Sequence, residues 1–385
     1  MIPYGRQSID EADIDAVVAS LRSAWLTQGP QVPAFEQAVA KHCQCAHAVA
    51  VSNATAALHL ACLALDIGPG DVVWTSPNTF VASANCARYC GAEVDFVDID
   101  PDTLNMSVPA LADKLAAASQ AGRLPKAIIP VHFSGRSCDM KEIARLARQH
   151  GIHIIEDASH AIGASHAGRP VGCCEYSDIT VFSFHPVKII TSGEGGMALT
   201  DNPEIAARLT RLRSHGISRD PSVMTSPPDG DWYYQQIELG FNYRMTDIQA
   251  ALGLSQLAKL ACFVERRRQL AERYTKHLAR LPLTLPMASD GSAWHLYVVQ
   301  LPGSAECRRR IFDKMRAAGI GVNVHYIPAH LQPYYRNLGF NDGDFPTAEA
   351  YYRHALTLPL YPDLTDSEQD TVMQALETML VTEGF

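Results

Sequence analysis

Lys188 lies in SFHPVKIITSGEGG, just beyond the apolar run ITVF, with Ser183 upstream of it and glycines at 193, 195 and 196 downstream. A lysine attacks an aldehyde only as the neutral amine, a state that desolvation and cationic neighbours favour. Ser183 is placed to offer its hydroxyl to an anion, and the glycines let backbone approach closely. Asp157 closes the run HIIED, and His160 follows it by one helical turn. A carboxylate beside a pyridine nitrogen keeps that nitrogen protonated and makes the ring an electron sink, while His160 has the reach for a ring substituent such as a phenolic oxygen. In SNATAALHLA an apolar run passes into a helical pattern, so Ala54, Thr55 and Ala56 present backbone N–H groups and a hydroxyl at a helix N-terminus, a cradle for phosphate. Phe80, in SPNTFVASAN, stands where a strand gives way to a helix and can stack on a flat ring.

Each feature alone has an ordinary explanation: an N-cap, a capping Asp beside a packed His, a solvated lysine, a core aromatic. Together they supply a phosphate cradle, a pyridinium partner, an amine nucleophile and a stacking face, which is what a pyridoxal phosphate site requires. The motifs of rival cofactors are missing: there is no GxxxxGK[ST], and no GxGxxG opens the first strand-to-helix turn.

The elements that must position these residues alternate. Strand candidates HAVAVS, DVVWTS, EVDFVDI, AIIPVHF, HIIED, ITVFSF and GGMALT are interleaved with the helical patterns ATAALHLACLALDI, TFVASANCARYC, SVPALADKLAAA and DMKEIARLARQH. Strand then helix, repeated, predicts an α/β domain around a mainly parallel, seven-stranded sheet, whose ligands collect at the carboxyl ends of its strands. The stretch SHGISRDPSVMTSPPDGDWYYQQIELGFNYRM has no period, is rich in Pro, Gly and aromatics, and is too long for a plain connector, so it reads as a functional or interface loop. From Met245 one long helical pattern runs through TDIQAALGLSQLAKLACFVERRRQLAERYTKHLARL and reads as a helix bridging two domains. A strand (WHLYVVQL), a helix (AECRRRIFDKMRAAG), a strand (GVNVHYI) and terminal helices then suit a smaller α+β domain. The division expected is a large cofactor-binding domain with an N-terminal arm over 1–250 and a small C-terminal domain over 251–385.

The 385 residues, 47% hydrophobic and 19% charged, can bury a large core. Lys and Arg number 32 against 41 Asp and Glu, a net charge of −9, so the chain lacks the basic excess that nucleic acid or an anionic membrane would need, and any anionic ligand must meet a local site. It begins MIPYGRQSIDEADID, unlike a secretory signal, and no apolar run approaches the roughly 20 residues of a membrane span. The expected location is cytoplasmic. There the ten cysteines stay reduced; neither Cys43 with Cys45 nor Cys173 with Cys174 has metal-site spacing, and no metal site is expected.

The set NATAALHLA, SPNTFVASAN, EDASHAIGA, SFHPVK with GEGG, and GFNYRMTDIQAALG resembles the DegT/DnrJ/EryC1/StrS family of sugar aminotransferases over nearly the whole chain. The resemblance implies a fold-type-I pyridoxal phosphate enzyme acting on a nucleotide-linked keto-sugar, a homodimer with sites at the subunit interface. It implies Lys188 as the lysine that bonds the cofactor, Asp157 at the pyridinium, His160 near the phenolic oxygen, and Ser183, Thr55 and Ala56 at the phosphate, with Asn242 reaching that phosphate from the other subunit. HPVK with GEGG, SPNTFVASANCARYCGA and GVNVHYIPAHLQPYYR are most similar to the family's pseudaminic acid branch, which implies a UDP-linked 2-acetamido-2,6-dideoxy-4-keto-hexose aminated at C4, with glutamate as donor. Ile189 and Ser192 stand where that pattern has Pro and Thr, and Ser159 where it has Ala. His325 and Tyr326 are candidates for the sugar and Arg219 for the diphosphate, although a loop arginine has a plain solvated reading as well. Two other classes differ in sequence: the related dehydratases carry histidine in place of the lysine, and a pyridoxal-binding regulator needs an added DNA-reading domain with a basic face.

Overall fold

The computed structural model describes residues 1–385. All seven predicted runs enter one sheet: β1 His47–Val51, β2 Val72–Thr75, β3 Glu93–Phe96, β4 Ala127–Ile129, β5 His153–Asp157, β6 Ile179–Ser183 and β7 Gly196–Thr200. Across the sheet they stand in the order β1, β7, β6, β5, β4, β2, β3. Every pairing is parallel except the two made by β7, which alone runs backward between β1 and β6. The central strands are buried and mainly apolar because both faces are covered. Val181 and Ala198 face a core with Leu58, Ile129, Ile155 and Leu209, whereas Phe182, Met197 and Leu199 face one with Phe35, Phe184 and Met245. Cys43, Cys45 and Cys174 pack into this second core as small apolar residues.

The same alternation separates Glu156 from Asp157. Glu156 is pinned away from the strand end by His132 Nε2 at 2.6 Å, Ser177 Oγ at 2.5 Å and Thr180 Oγ1 at 3.1 Å. Asp157 is the next residue, and its carboxyl group is left for the cavity beyond the sheet.

The predicted long helix is two helices. Asp247–Leu257 packs against Glu11–Arg22 and Gln31–Cys43, with Gly253 so close to Phe35 that a Cβ there would lie 2.7 Å from its ring. Leu260–Leu278 starts in the Phe35 core with Leu260 and Phe263 and then carries Leu270, Ala271, Tyr274 and Leu278 into a separate core with Tyr297, Ile311, Leu358 and Leu376. Both halves keep a helical period, so periodicity does not register that they serve different cores. At the break, the Lys259 ammonium reaches Asp10 at 2.9 Å and also Asp13, a fully buried carboxylate that accepts hydrogen bonds from Ser255 at 2.6 Å and Gln256 at 2.7 Å.

GVNVHYI is not a strand. Only Asn323 bridges, to Thr357, and the strand β8 (Tyr297–Gln300) instead pairs antiparallel with β9 (Ala355–Leu358), which follows the helix Pro346–His354. The backbone at 323–326 lines a cavity in place of extending a ladder. Arg267 fastens this region from the long helix: fully buried, it donates from Nη1 to the carbonyls of Leu360 at 2.8 Å, His295 at 3.2 Å and Trp294 at 3.4 Å. The aperiodic segment after residue 213 holds a two-residue ribbon, Ile217–Ser218 with Gln235–Gln236, and exposes Trp232 (72%) and Leu239 (79%). No helix is long and apolar enough to cross a membrane.

Replacing Lys259 with Met leaves the Asp13 carboxylate buried without its cation, which is costlier than the pair itself is worth. Urea unfolding of Lys259→Met should show a loss of roughly 2–3 kcal/mol, with the double change Lys259→Met/Asp13→Leu recovering part of it.

Candidate active site

A cavity of about 830 Å³ opens beyond the carboxyl ends of the parallel strands. Its walls come from the turns after β1 (Asn53–Ala56), β2 (Thr79, Phe80), β5 (Asp157, Ser159, His160) and β6 (Ser183–Lys188), closed by His295 and Asn323–Tyr326 from the C-terminal part. Of the sequence-predicted residues, Thr55, Ala56, Phe80, Asp157, His160, Ser183, Lys188, His325 and Tyr326 all line it.

Lys188 sits past the end of β6 on the 185–188 turn, its backbone N–H donated to His185 O at 2.9 Å. Burial lowers its pKa to about 8, with the Asp157 carboxylate opposing the shift. Around it stand buried histidines held in the uncharged form. His160 is pushed well below the usual value by burial and then by the Lys188 and His325 charges, and His295 likewise by burial and by His160 and Lys188. Burial and Lys188 lower His325 to about 3. Asp157 is the carboxylate of the interior; Glu194 lies exposed at the rim.

The Asp157 carboxylate accepts the Ser83 hydroxyl at 2.6 Å on Oδ2 and the Ser159 N–H at 3.1 Å on Oδ1. His160 Nδ1 accepts the Ser134 N–H at 3.3 Å, which puts the ring proton of the neutral imidazole on Nε2, 3.0 Å from Tyr326 Oη. The Tyr326 hydroxyl therefore accepts from His160 and keeps its own proton for a ligand. His325 is fixed by Thr357 Oγ1 at 2.8 Å. Phe80 is 59% exposed and leans toward Tyr326 with ring centroids 6.3 Å apart, so it is no core aromatic.

At the helix Ala54–Ala64 one expectation needs correction. The Ala56 N–H is not free: the N-cap Asn53 takes it at 2.8 Å, leaving Ala54 and Thr55 as the unpaired donors of the first turn. GEGG explains how this turn meets β6. Gly196 pairs with Val51 on one side and Ser183 on the other, and a Cβ on it would lie 2.4 Å from Asn53 C and 2.5 Å from Ala54 N. Only glycine lets the Ser183 hydroxyl and the helix N-terminus face the same space.

Two predicted residues lie elsewhere. Asn242 is exposed, bridges Ser214 through its backbone and does not line this chain's cavity; its neighbour Tyr243 does, with Oη 3.3 Å from His59 Nδ1. Arg219 is exposed on the same segment and is also outside the cavity. Sequence reading missed Ser83, His295, Asn323 and Tyr4. Ser83 had a signal, a hydroxyl one turn after the Phe80 segment begins; Tyr4 and His295 had none, since they join the cavity only through long-range packing.

These residues fit pyridoxal phosphate. Donors at a helix N-terminus and the Ser183 hydroxyl suit its phosphate, a buried carboxylate with open lone pairs suits its ring nitrogen, and an amine with a lowered pKa suits its aldehyde. The family model for DegT/DnrJ/EryC1/StrS aminotransferases matches residues 7–377. This chain belongs to that family. It is a pyridoxal-phosphate-dependent sugar aminotransferase of fold type I. The spore coat polysaccharide biosynthesis protein SpsC of Bacillus subtilis is 39% identical over 386 residues, covering 98% of this chain and 97% of its own. Spr1654 of Streptococcus pneumoniae, described as a sugar aminotransferase and solved in its PMP form, superposes with a TM-score of 0.91 at 32% identity, over 99% of this chain and 100% of its own. PseC of Helicobacter pylori, an aminotransferase involved in the biosynthesis of pseudaminic acid, superposes with a TM-score of 0.90 at 29% identity over 99% of each chain.

A lysine whose pKa falls on folding costs stability in full below about pH 8, where the folded chain must bury it charged, and the cost fades between there and 10.5, where only the unfolded chain still holds the proton. The cofactor-free Lys188→Met variant, which keeps an apolar stem, should therefore melt above the wild type at pH 7, by roughly 1–2 °C, and the gap should close above pH 8 in a calorimetric pH series.

Proposed function

We propose that this enzyme aminates C4 of UDP-2-acetamido-2,6-dideoxy-β-L-arabino-hex-4-ulose, with L-glutamate as amino donor, on the route to pseudaminic acid in the cytoplasm. The observation that carries this is the run of segments HPVK with GEGG and GVNVHYIPAHLQPYYR, which meet at one cavity, together with the likeness to PseC. A second reading, another UDP- or dTDP-linked keto-sugar, is favoured by the higher identity to SpsC, a polysaccharide biosynthesis protein.

In this reading residues 1–250 bind the cofactor and residues 251–385 close over the sugar. Bound pyridoxal phosphate supplies the aldehyde that carries the amino group and the protonated ring that takes up the electron pair released at the reacting carbon. Lys188 anchors the cofactor and afterwards holds and moves the proton at that carbon, a task its pKa of about 8 suits near neutral pH. Asp157 keeps the ring nitrogen protonated, His160 stays neutral beside the phenolic oxygen, and Phe80 covers one ring face. Thr55, the first-turn N–H groups beside Ala56, and Ser183 hold the phosphate. His325 and Tyr326 meet the sugar, Tyr326 through the proton that His160 leaves it.

The working unit is a homodimer with shared sites. Support comes from Asn242 lying exposed and outside its own cavity, on a segment that also exposes Trp232 and Leu239. Asn242 of each subunit would serve the partner's phosphate, and Arg219 of the same segment would reach a diphosphate only in the partner's site.

Mixing Lys188→Ala with Asn242→Asp, each inactive alone, should restore roughly a quarter of wild-type activity, since half of randomly paired dimers are mixed and each mixed dimer has one intact site. Confirmed heterodimers without activity would refute shared sites. For the substrate, 2-oxoglutarate release should be followed with glutamate and a panel of keto-sugars. A pocket that hydrogen-bonds an acetamido group leaves its polar groups unpaired when that group is absent. The UDP-N-acetyl keto-sugar should therefore exceed a dTDP keto-sugar lacking the group by at least roughly a hundredfold in kcat/KM. Equal rates would remove the pseudaminic assignment and leave the aminotransferase standing.

A further inference from the structure

We propose that the hydroxyls of Thr79 and Ser83 form a directed pair that fixes how Asp157 faces the cofactor ring, which makes Ser83 a positioning residue for this reaction. Ser83 Oγ lies 2.6 Å from Asp157 Oδ2, and Thr79 Oγ1 lies 2.6 Å from Ser83 Oγ. An ionised carboxylate only accepts, so the single Ser83 proton goes to Asp157. The Thr79 hydroxyl also lies 3.1 Å from the Phe80 carbonyl, but the 2.6 Å contact between the two hydroxyls is the shorter and is satisfied only if Thr79 donates to Ser83. The order Thr79 to Ser83 to Asp157 follows from counting protons. Both hydroxyl-bearing residues are buried, Ser83 fully and Thr79 to 2% exposure, so water does not compete for these bonds.

The pair also ties two functions to one short segment. Ser83 stands in the first turn of the helix Ala82–Tyr89, whose N-cap Val81 supplies no side-chain hydrogen bond; the hydroxyl in that turn is turned to the carboxylate of β5 instead. Phe80, between Thr79 and Ser83, presents its exposed ring to the cavity. A single backbone segment therefore sets the face against which a flat ring would lie and the direction of the carboxylate that would meet its nitrogen. Ser159 N–H holds Oδ1 from the other side at 3.1 Å, so with Ser83 in place the carboxyl group has one orientation, and without it rotation about the side chain is restrained at one oxygen only.

The inference rests on the pyridoxal phosphate reading of the site but not on the keto-sugar, so the test uses the glutamate half-reaction, which needs no sugar. Wild type, Ser83→Ala, Thr79→Val, Asp157→Asn and Ser83→Ala/Asp157→Asn are compared in the cofactor-loaded full chain, with melting curves confirming that each folds. Ser83→Ala should lower the glutamate-dependent rate roughly tenfold to a hundredfold, with the KM for glutamate changed less than about threefold, the loss expected for one hydrogen bond to a charged group. Thr79→Val, which removes only the outer donor, should lose roughly threefold. Loaded with ring-15N pyridoxal phosphate, Ser83→Ala should move the nitrogen resonance toward the unprotonated position, a signal that looser packing alone would not shift. In the Asp157→Asn background, removal of the Ser83 hydroxyl should cost nothing more. A full rate in Ser83→Ala, an unmoved 15N resonance, or losses that multiply in the double variant each overturn the proposal. Failure of the keto-sugar panel, by contrast, touches the substrate assignment alone.

Discussion

The amine of Lys188 must give up its proton far more readily than a free lysine does, and most of the cavity's construction follows from that need. Burial alone drives the shift to about 8, and the nearby Asp157 carboxylate, which the chemistry also needs, works against it. The surrounding positions are therefore taken by groups that can be buried uncharged. His160, His295 and His325 are all held neutral, each in part by the positive charge of Lys188 itself. The result is an interior poor in fixed negative charge within a chain whose net charge is −9. That contrast lets an acidic protein take up anionic ligands: attraction comes from a pocket with a helix N-terminus and a lysine, and not from the net charge of the chain.

The sheet supplies the geometry through its one reversed strand. β7 runs back between β1 and β6, so its first residue, Gly196, lies against both the turn that opens the helix Ala54–Ala64 and the end of the strand that delivers Ser183. A glycine there serves a close approach of backbones and not a turn conformation. The C-terminal part closes the other side with few regular elements. Asn323–Tyr326 stays out of the β8–β9 pair, and Arg267, buried without a carboxylate partner, anchors the carbonyls of Trp294 and His295 from the long helix. A buried guanidinium left with its Nε and Nη2 unpartnered is costly, and burial lowers its pKa to about 10. It persists where it holds the chain segment that brings His295 to His160, ring centroids 4.3 Å apart.

What could be read along the chain was whatever depends on near neighbours. The seven strands and the four helices between them were legible because sheet strands covered on both faces are continuous apolar runs and the connecting helices carry a helical period. Lys188, Asp157, Ser183 and Thr55 were legible because a parallel sheet sends the residues after its strands to one edge, whichever strand they come from. The same reasoning failed where two cores compete. The pattern from Met245 onward is helical throughout, and only the divergent packing of its halves, with Lys259 held by Asp10 and Asp13, breaks it.

The sequence by itself determined the fold class and the chemistry-bearing residues at strand ends, since both follow from local period and residue type. The tertiary structure decided which groups share protons and which stay neutral. That Ser83 meets Asp157 across 74 positions of chain, and that His160 donates a hydrogen bond to Tyr326 across 166, depend on contacts no local window contains. GVNVHYI shows the limit most plainly. Its alternation suits a strand, but β8 takes its partner from residues 355–358, and a segment with no ladder to join was free to line the cavity.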